Sequence, residues 1–107
     1  GMTRAAGDAE RIQIVGDLTL ANAIDWVARL QHAMHRVNVL TVDLSGITCI
    51  DAAGIQVLAV ARREATARGR SLIFDAHSPA VLEAFRLLGV DPQLQGAVFA
   101  RVRRDAG

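Results

Sequence analysis

The chain has a single cysteine and no long apolar run, and each of these absences excludes a class of protein. Cys49 alone cannot form an intramolecular disulfide, and no cysteine or histidine spacing resembles a zinc site, so we expect no metal. No apolar segment reaches the roughly 18 residues that a membrane span requires. No charged-then-apolar segment at the N-terminus indicates secretion either. These absences predict a cytoplasmic protein without a membrane span.

Lysine is also absent, and the charge balance argues against nucleic-acid binding. All twelve basic residues are arginines, and they are scattered among eleven acidic residues, which leaves a formal net charge of +1. Arg101, Arg103 and Arg104 form a short basic run near the C-terminus, for which a solvated tail is the plainer interpretation. Without a larger basic patch, we expect no nucleic-acid partner.

The sequence lacks the motifs of several enzyme classes. Neither GxxxxGK[ST] nor GxGxxG occurs at a strand end, which argues against phosphate and dinucleotide chemistry. His32 and His35 fall on or near the polar side of a helix, and His77 precedes a helix cap, so none is placed to activate a nucleophile. Cys49 lies in an apolar run and is interpreted as a small core side chain. We therefore expect that the protein is not an enzyme and binds no cofactor.

The 107 residues, about half of them apolar, suffice for one small domain. Along the chain, the spacing of apolar residues switches between the two-residue period of a strand and the 3.6-residue period of a helix. This pattern predicts strands at 11–16, 39–44 and 71–75 and helices near 23–36, 54–68 and 79–88. Such alternation predicts an α/β fold: a mixed, mostly parallel sheet of about four strands with three main helices. A turn is expected at Ser45 and Gly46, and residues 98–102 fit either a last strand or a helix. We assign residues 2–10 to a short N-terminal segment, for which an edge strand stays open, and 11–107 to the domain.

The segment that follows the second strand is unusual. It brings Asp51, Ala52, Ala53 and Gly54 to the N-terminus of a helix, where free backbone donors and the positive end of the helix dipole converge. Such a position suits an anion. The alternative is structural: Asp51 caps the helix and Gly54 permits close packing. The residues by themselves leave both interpretations open.

The segment DLSGITCIDAAGIQVL, from Asp43 to Leu58, resembles the signature of STAS domains, the anti-sigma factor antagonist family. The turn after Gly16 and the helix that follows Ser78 are similar to the corresponding parts of that family. The resemblance covers most of the chain, in the same order and with similar spacing. It implies a single STAS-like domain.

In phosphoregulated members of that family, the residue after the aspartate is a serine or threonine that a partner kinase phosphorylates. Ala52 stands at this position and Ala53 follows it, so neither offers a hydroxyl. The resemblance therefore implies a docking surface without the phosphate switch, although Ser45 and Thr48 stay open as substitute phosphoacceptors. The residues that it assigns to partner binding are Asp51, Ala52, Ala53, Gly54 and Ser45.

The resemblance implies a non-catalytic regulatory or adaptor protein of bacterial signalling, of the anti-sigma factor antagonist type. Its expected partner is an anti-sigma factor resembling a histidine-kinase-like ATPase, or another signalling protein. The alternative is a STAS subunit that binds the ATPase of an ABC-type lipid transport system, where threonine or serine is usual at the position of Ala52. A third interpretation, binding of a small ligand or nucleotide, has least support because nothing basic or glycine-rich surrounds the site. Little room remains for the family's last helix, so part of the sheet or of the helical layer is expected to be uncovered. A homodimer that covers this part is a further expectation.

Overall fold

The structure, a computed structural model, describes residues 8–89, in which strands and helices alternate. The elements are β1 (Ala9–Leu18), α1 (Ala23–Arg36), β2 (Val39–Ile50), α2 (Ala52–Ala67), β3 (Ser71–Asp75) and α3 (Pro79–Leu88). The sheet has the order β1-β2-β3, and both strand pairs are parallel. The predicted α/β fold is confirmed, and each helix begins within two residues of its expected start. Residues 98–102 lie outside the described residues.

Strand β1 begins earlier than the apolar pattern predicts. It includes Ala9 and Glu10, which pair with the start of β2, so the strand crosses the boundary drawn before Arg11. The guanidinium of Arg36, at the end of α1, donates to both carboxylate oxygens of Glu10 at 2.7 and 2.6 Å. Both bonds come from one guanidinium nitrogen, and this ion pair ties the first residues of the strand to the helix that follows it.

Strand β2 continues through the predicted turn, so the turn expected at Ser45 and Gly46 is wrong. The chain accommodates these residues in a β-bulge: Gln13 lies opposite Asp43, whereas Val15 lies opposite Gly46, which gives β2 one residue more than β1. The Asp43 Oδ1 accepts the backbone N–H of Ser45 at 2.8 Å, a local bond that supports the extra residue. A second register shift of the same kind lies nearer the end of β1.

One face of the sheet is buried and belongs to a single hydrophobic core. Inward positions alternate along each strand, but Leu44 and Ile47 are three residues apart because the bulge intervenes. The buried strand residues are Ile14, Leu18, Leu40, Val42, Leu44, Ile47, Leu72 and Phe74. The helices contribute Trp26, Leu30, Met34, Ile55, Leu58, Val81 and Phe85 to the same cluster. Each large aliphatic side chain buried in this way stabilises the fold by roughly 1.5–3 kcal/mol.

The opposite face of the sheet carries polar side chains across all three strands. One guanidinium nitrogen of Arg11, on β1, lies 3.0 Å from a carboxylate oxygen of Asp43 on β2 and 3.0 Å from one of Asp75 on β3. Hydrogen bonds from the hydroxyl and backbone N–H of Ser45, and then from Arg11, hold the pKa of Asp43 below its ordinary value. The side chains of Ser71 and Ile73 on β3 are exposed, so this face is open over the described strands.

The bulge makes Gly46 sensitive to substitution. A Cβ at this position would lie 2.9 Å from the carbonyl oxygen of Ile14 and 3.1 Å from Cγ2 of Val15. We expect Gly46→Ala to lower the free energy of unfolding by roughly 1–3 kcal/mol, because the two strands must separate locally. Urea denaturation followed by circular dichroism measures the change. Thr48→Ala, an exposed position of the same strand, is the control and should stay within about 0.5 kcal/mol. Equal stabilities for the two variants would contradict a tightly packed bulge.

Candidate functional site

Asp51 caps helix α2 and also holds the loop that follows β1. Its Oδ1 accepts the backbone N–H of Gly54 at 2.8 Å, and its Oδ2 accepts that of Leu20 at 3.1 Å. These hydrogen bonds, Gly54 first and then Leu20, hold the pKa of the carboxyl below its ordinary value of 3.8. One ionised carboxylate thus joins two segments that are far apart in the sequence.

Gly54 allows the start of α2 to approach the end of β1. The residue is buried, and a Cβ there would overlap the carbonyl oxygen of Leu18 and lie 2.8 Å from Cγ1 of Ile50. Because any other residue carries this Cβ, α2 could not lie so close to β1 without a backbone shift. The close-packing role that the sequence offered for Gly54 is therefore present, together with the cap at Asp51.

The first turn of α2 presents two small side chains beside the cap. Ala52 is exposed and Ala53 is half-buried. Ser45, predicted to belong with them, lies elsewhere: it is exposed on the polar face of the sheet, and its hydroxyl accepts a hydrogen bond from Gln13 Nε2 at 3.3 Å. Five strand residues, 46–50, lie between Ser45 and Asp51, which corresponds to a distance on the order of 15–20 Å. The structure brings together residues 51–54 and leaves Ser45 apart.

Cys49 is exposed, so its interpretation as a core side chain is wrong. The second register shift places Cys49 opposite Asp17, an exposed residue of β1, while Ile47 occupies the buried position. Thr48 is exposed on the same strand. A bulge reverses the face of each later residue, and the apolar pattern of this segment gives no sign of it.

An apolar surface lies beside the cap, and the sequence pattern did not identify it. Leu20 is 76% exposed and Ile24 is 83% exposed. Ile24 also lines a groove between the two helices, which we call the α1–α2 groove. Its lining residues are Ala23, Ile24, Val27, Ala53, Gln56, Val57 and Val60. Ile24 lies outside the buried stripe of α1. A large apolar residue at such a position was the feature of the sequence that could have indicated this exposed surface.

A polar contact bridges the two helices one turn beyond the groove. Gln31 of α1 donates from Nε2 to an oxygen of Glu64 of α2 at 2.9 Å, and Arg68 donates to the other oxygen at 3.2 Å. Gln31 and Glu64 each stand four residues after a groove residue, Val27 and Val60, which places them on the same helix faces. The α1–α2 groove is thus short, with Asp51 at the end where the helices begin.

The helix start at residues 51–54 combines a charged cap with apolar neighbours. Among residues 51–55, Asp51, the N-cap of α2, is the single titratable residue, and both of its oxygens accept backbone N–H groups. No group of three or more His, Cys, Asp or Glu side chains in residues 8–89 could hold a metal ion. Across the same residues, no helix has the length and apolar character needed to cross a bilayer. What the site presents is a fixed cap and exposed apolar side chains.

Comparison with known proteins identifies a sequence family and several similar folds. The family described as "Mlab, STAS domain" matches residues 2–96. The anti-sigma factor antagonist SpoIIAA, in its unphosphorylated form, is 20% identical with a TM-score of 0.64, over 78% of this chain and 74% of that chain. A search of curated protein sequences gives no match.

Two transporter-associated structures are also similar. A sulfate transporter family protein from Wolinella succinogenes is 21% identical with a TM-score of 0.62, over 76% of this chain and 66% of that chain. The STAS domain of a SulP transporter from Vibrio cholerae is 18% identical with a TM-score of 0.55, over 92% of this chain and 84% of that chain. At these identities the likenesses show the fold.

The cap at Asp51 predicts a pH-dependent contribution to stability. Because its pKa in the folded protein lies below the ordinary value of 3.8, the stabilisation is complete above that value and is lost as the pH falls through the folded pKa. We expect Asp51→Asn to be less stable than the parent protein at pH 7, and the difference to disappear at pH values below the folded pKa. Urea unfolding across this pH range measures both proteins. Asp25→Asn, in the first turn of α1, is the control; a pH-independent difference for Asp51→Asn would contradict the role of the ionised cap.

Proposed function

Because the chain belongs to the STAS domain family, we propose that it is a non-catalytic regulatory or adaptor protein that binds a protein partner at the start of α2. The observation that carries this proposal is the apolar surface held beside the Asp51 cap. The protein acts in the cytoplasm, without a cofactor, in bacterial signalling.

The exposure of two large apolar side chains at one place supports docking. Leu20 lies in the loop before α1 and Ile24 lies in the first turn of that helix. Leu20 is held to the start of α2 by the hydrogen bond from its N–H to Asp51. Contiguous exposed apolar surface costs solvation free energy and commonly marks an interaction site. A partner that covers Leu20, Ile24 and the exposed methyl of Ala52 would remove this surface from water.

The partner that we propose is an anti-sigma factor with a histidine-kinase-like ATPase fold, or another signalling protein. The likeness in fold to SpoIIAA, which is described as an anti-sigma factor antagonist, supports this class. Binding would occupy the partner and so regulate transcription. Residues 51–54 contribute the centre of the docking surface, while Ser45 would contribute only to a partner that extends over the polar face of the sheet.

Ala52 makes this docking surface independent of phosphorylation. Phosphorylation of a serine or threonine would add a charge of about −1.5 to −2 beside Asp51. The methyl group of Ala52 cannot accept phosphate, and neither can that of Ala53. The surface therefore keeps one charge state, and we propose that the protein binds its partner constitutively.

A second candidate function is a STAS subunit that binds the ATPase of an ABC-type lipid transport system. The likeness in fold to two transporter-associated STAS structures supports an association with transport. Both candidates use the same surface, so the identity of the partner distinguishes them. Affinity capture from the native host, followed by mass spectrometry, would identify either an anti-sigma kinase or a transporter ATPase.

The docking proposal predicts that Ala52→Glu abolishes binding while the fold remains intact. A carboxylate in the first turn of a helix is tolerated and gains a few tenths of a kcal/mol from the dipole. In an interface core the same unpaired charge costs roughly 2–5 kcal/mol, or more than about thirtyfold in affinity. A pull-down of the captured partner measures binding, and circular dichroism measures folding.

Ala67→Glu makes the same chemical change at the far end of α2, where the residue is also exposed. This control should bind the partner like the parent protein. Normal binding by a folded Ala52→Glu variant would end the docking proposal.

The absence of a hydroxyl predicts that an anti-sigma kinase and ATP place no phosphate on residues 51–54. Tandem mass spectrometry of the incubated protein measures this, and Ala52→Ser is the matched variant that offers the missing oxygen nucleophile. We expect phosphate on the serine variant at position 52 and none on the parent protein at that position. Phosphate on Ser45 or Thr48 of the parent would overturn the claim that the protein binds constitutively.

A further inference from the structure

Helix α1 borders a second groove, on the side that faces β1. Its lining residues are Ile12 of β1 and Ala28, Arg29, His32 and Arg36 of α1. We call it the β1–α1 groove. Unlike the α1–α2 groove, which has no charged lining residue, this one has three basic side chains on an apolar floor.

The basic side chains form one stripe along the helix. Arg29, His32 and Arg36 stand at positions i, i+3 and i+7, which share a face of an α-helix. All three side chains are exposed at the rim of the groove, whereas Ile12 is half-buried beneath them. An occupant therefore meets two arginines and an imidazole at the rim and hydrocarbon at the base.

Arg29 is held over a neighbouring aromatic ring and has no acidic partner among the described residues. Its guanidinium carbon lies over the ring of Trp26, 4.0 Å from the ring centroid, a cation–π contact that restrains the side chain. Within residues 8–89, no carboxylate forms an ion pair with Arg29, and this includes Asp25, one turn earlier on the same helix. The N–H donors of this guanidinium can therefore bind a carboxylate from a partner.

Glu10 shows how this groove accepts an acidic side chain. It projects from an extended strand and binds Arg36, at the C-terminal end of the basic stripe, with both carboxylate oxygens. The next inward position of β1 is Ile12, which supplies no charge for His32 or Arg29. The chain thus neutralises the stripe at Arg36. Over the remaining length of about 10 Å, back to Arg29, no carboxylate of residues 8–89 forms an equivalent ion pair.

We infer that the β1–α1 groove binds an extended acidic segment of a protein partner. Its carboxylates meet Arg29 and His32 as Glu10 meets Arg36, and its aliphatic groups rest on Ile12 and Ala28. Nucleic acid fits less well, because Glu10 places a carboxylate at one end of the groove. This surface is separate from the one around Asp51, so the inference does not depend on the proposed function.

A peptide titration tests the inference on the full chain. The probe is a synthetic seven-residue peptide that alternates glutamate with valine, and the matched peptide carries glutamine in place of glutamate. We expect the glutamate peptide to shift backbone amide resonances of β1 and of α1 around Arg29 in ¹⁵N-labelled protein, more strongly at low salt than at about 0.15 M. The glutamine peptide should leave them unchanged.

Two variants locate the binding to the stacked arginine. Arg29→Glu reverses its charge and Arg29→Gln removes it, and each should weaken the glutamate peptide at least about fivefold, the equivalent of one rim ion pair. Arg63→Glu, exposed on α2, makes the same charge reversal elsewhere and should have a smaller effect. No resonance shift, equal binding of both peptides, or equal weakening by all three variants would overturn the inference, as would the same shifts produced by a single-stranded oligonucleotide.

Discussion

The contact between the start of α2 and the end of β1 is the constraint on which the rest of the site depends. Because Gly54 has no side chain, the helix approaches the carbonyl oxygen of Leu18 more closely than any other residue would allow. At this separation the Asp51 carboxylate accepts N–H groups from its own helix and from Leu20. The apolar side chains around the cap are exposed at fixed positions as a result.

The two irregularities of β2 make that contact possible. Strand β2 has 12 residues and β1 has 10, yet the two strands pair from Ala9 with Val39 to Leu18 with Ile50. Without the two extra residues absorbed as bulges, the end of β2 would lie about 6–7 Å out of register with the end of β1. Asp51 would then lie too far from Leu20 to hold the loop after β1.

Helix α1 separates two surfaces of different chemistry. Its side toward α2 presents Ile24 at a groove without charged lining residues, and its side toward β1 presents a basic stripe that includes Arg29. Between them the buried stripe of the helix, which includes Leu30 and Met34, holds it on the sheet. The core covers only one stripe of this amphipathic helix, so the rest of its circumference is available for other contacts. One side therefore offers an apolar contact and the other a charged contact.

Local periodicity and residue chemistry are enough to predict the alternation of strands and helices, the helix start at residues 51–54 and the absence of a hydroxyl at Ala52. The register of β2 could not be predicted in this way, because it depends on pairing with a strand some 30 residues away. That register turns Cys49 outward and leaves Ser45 apart from the helix start. The exposure of Leu20 and Ile24 was decided in the same way, because it depends on which elements pack against them and not on their own side chains.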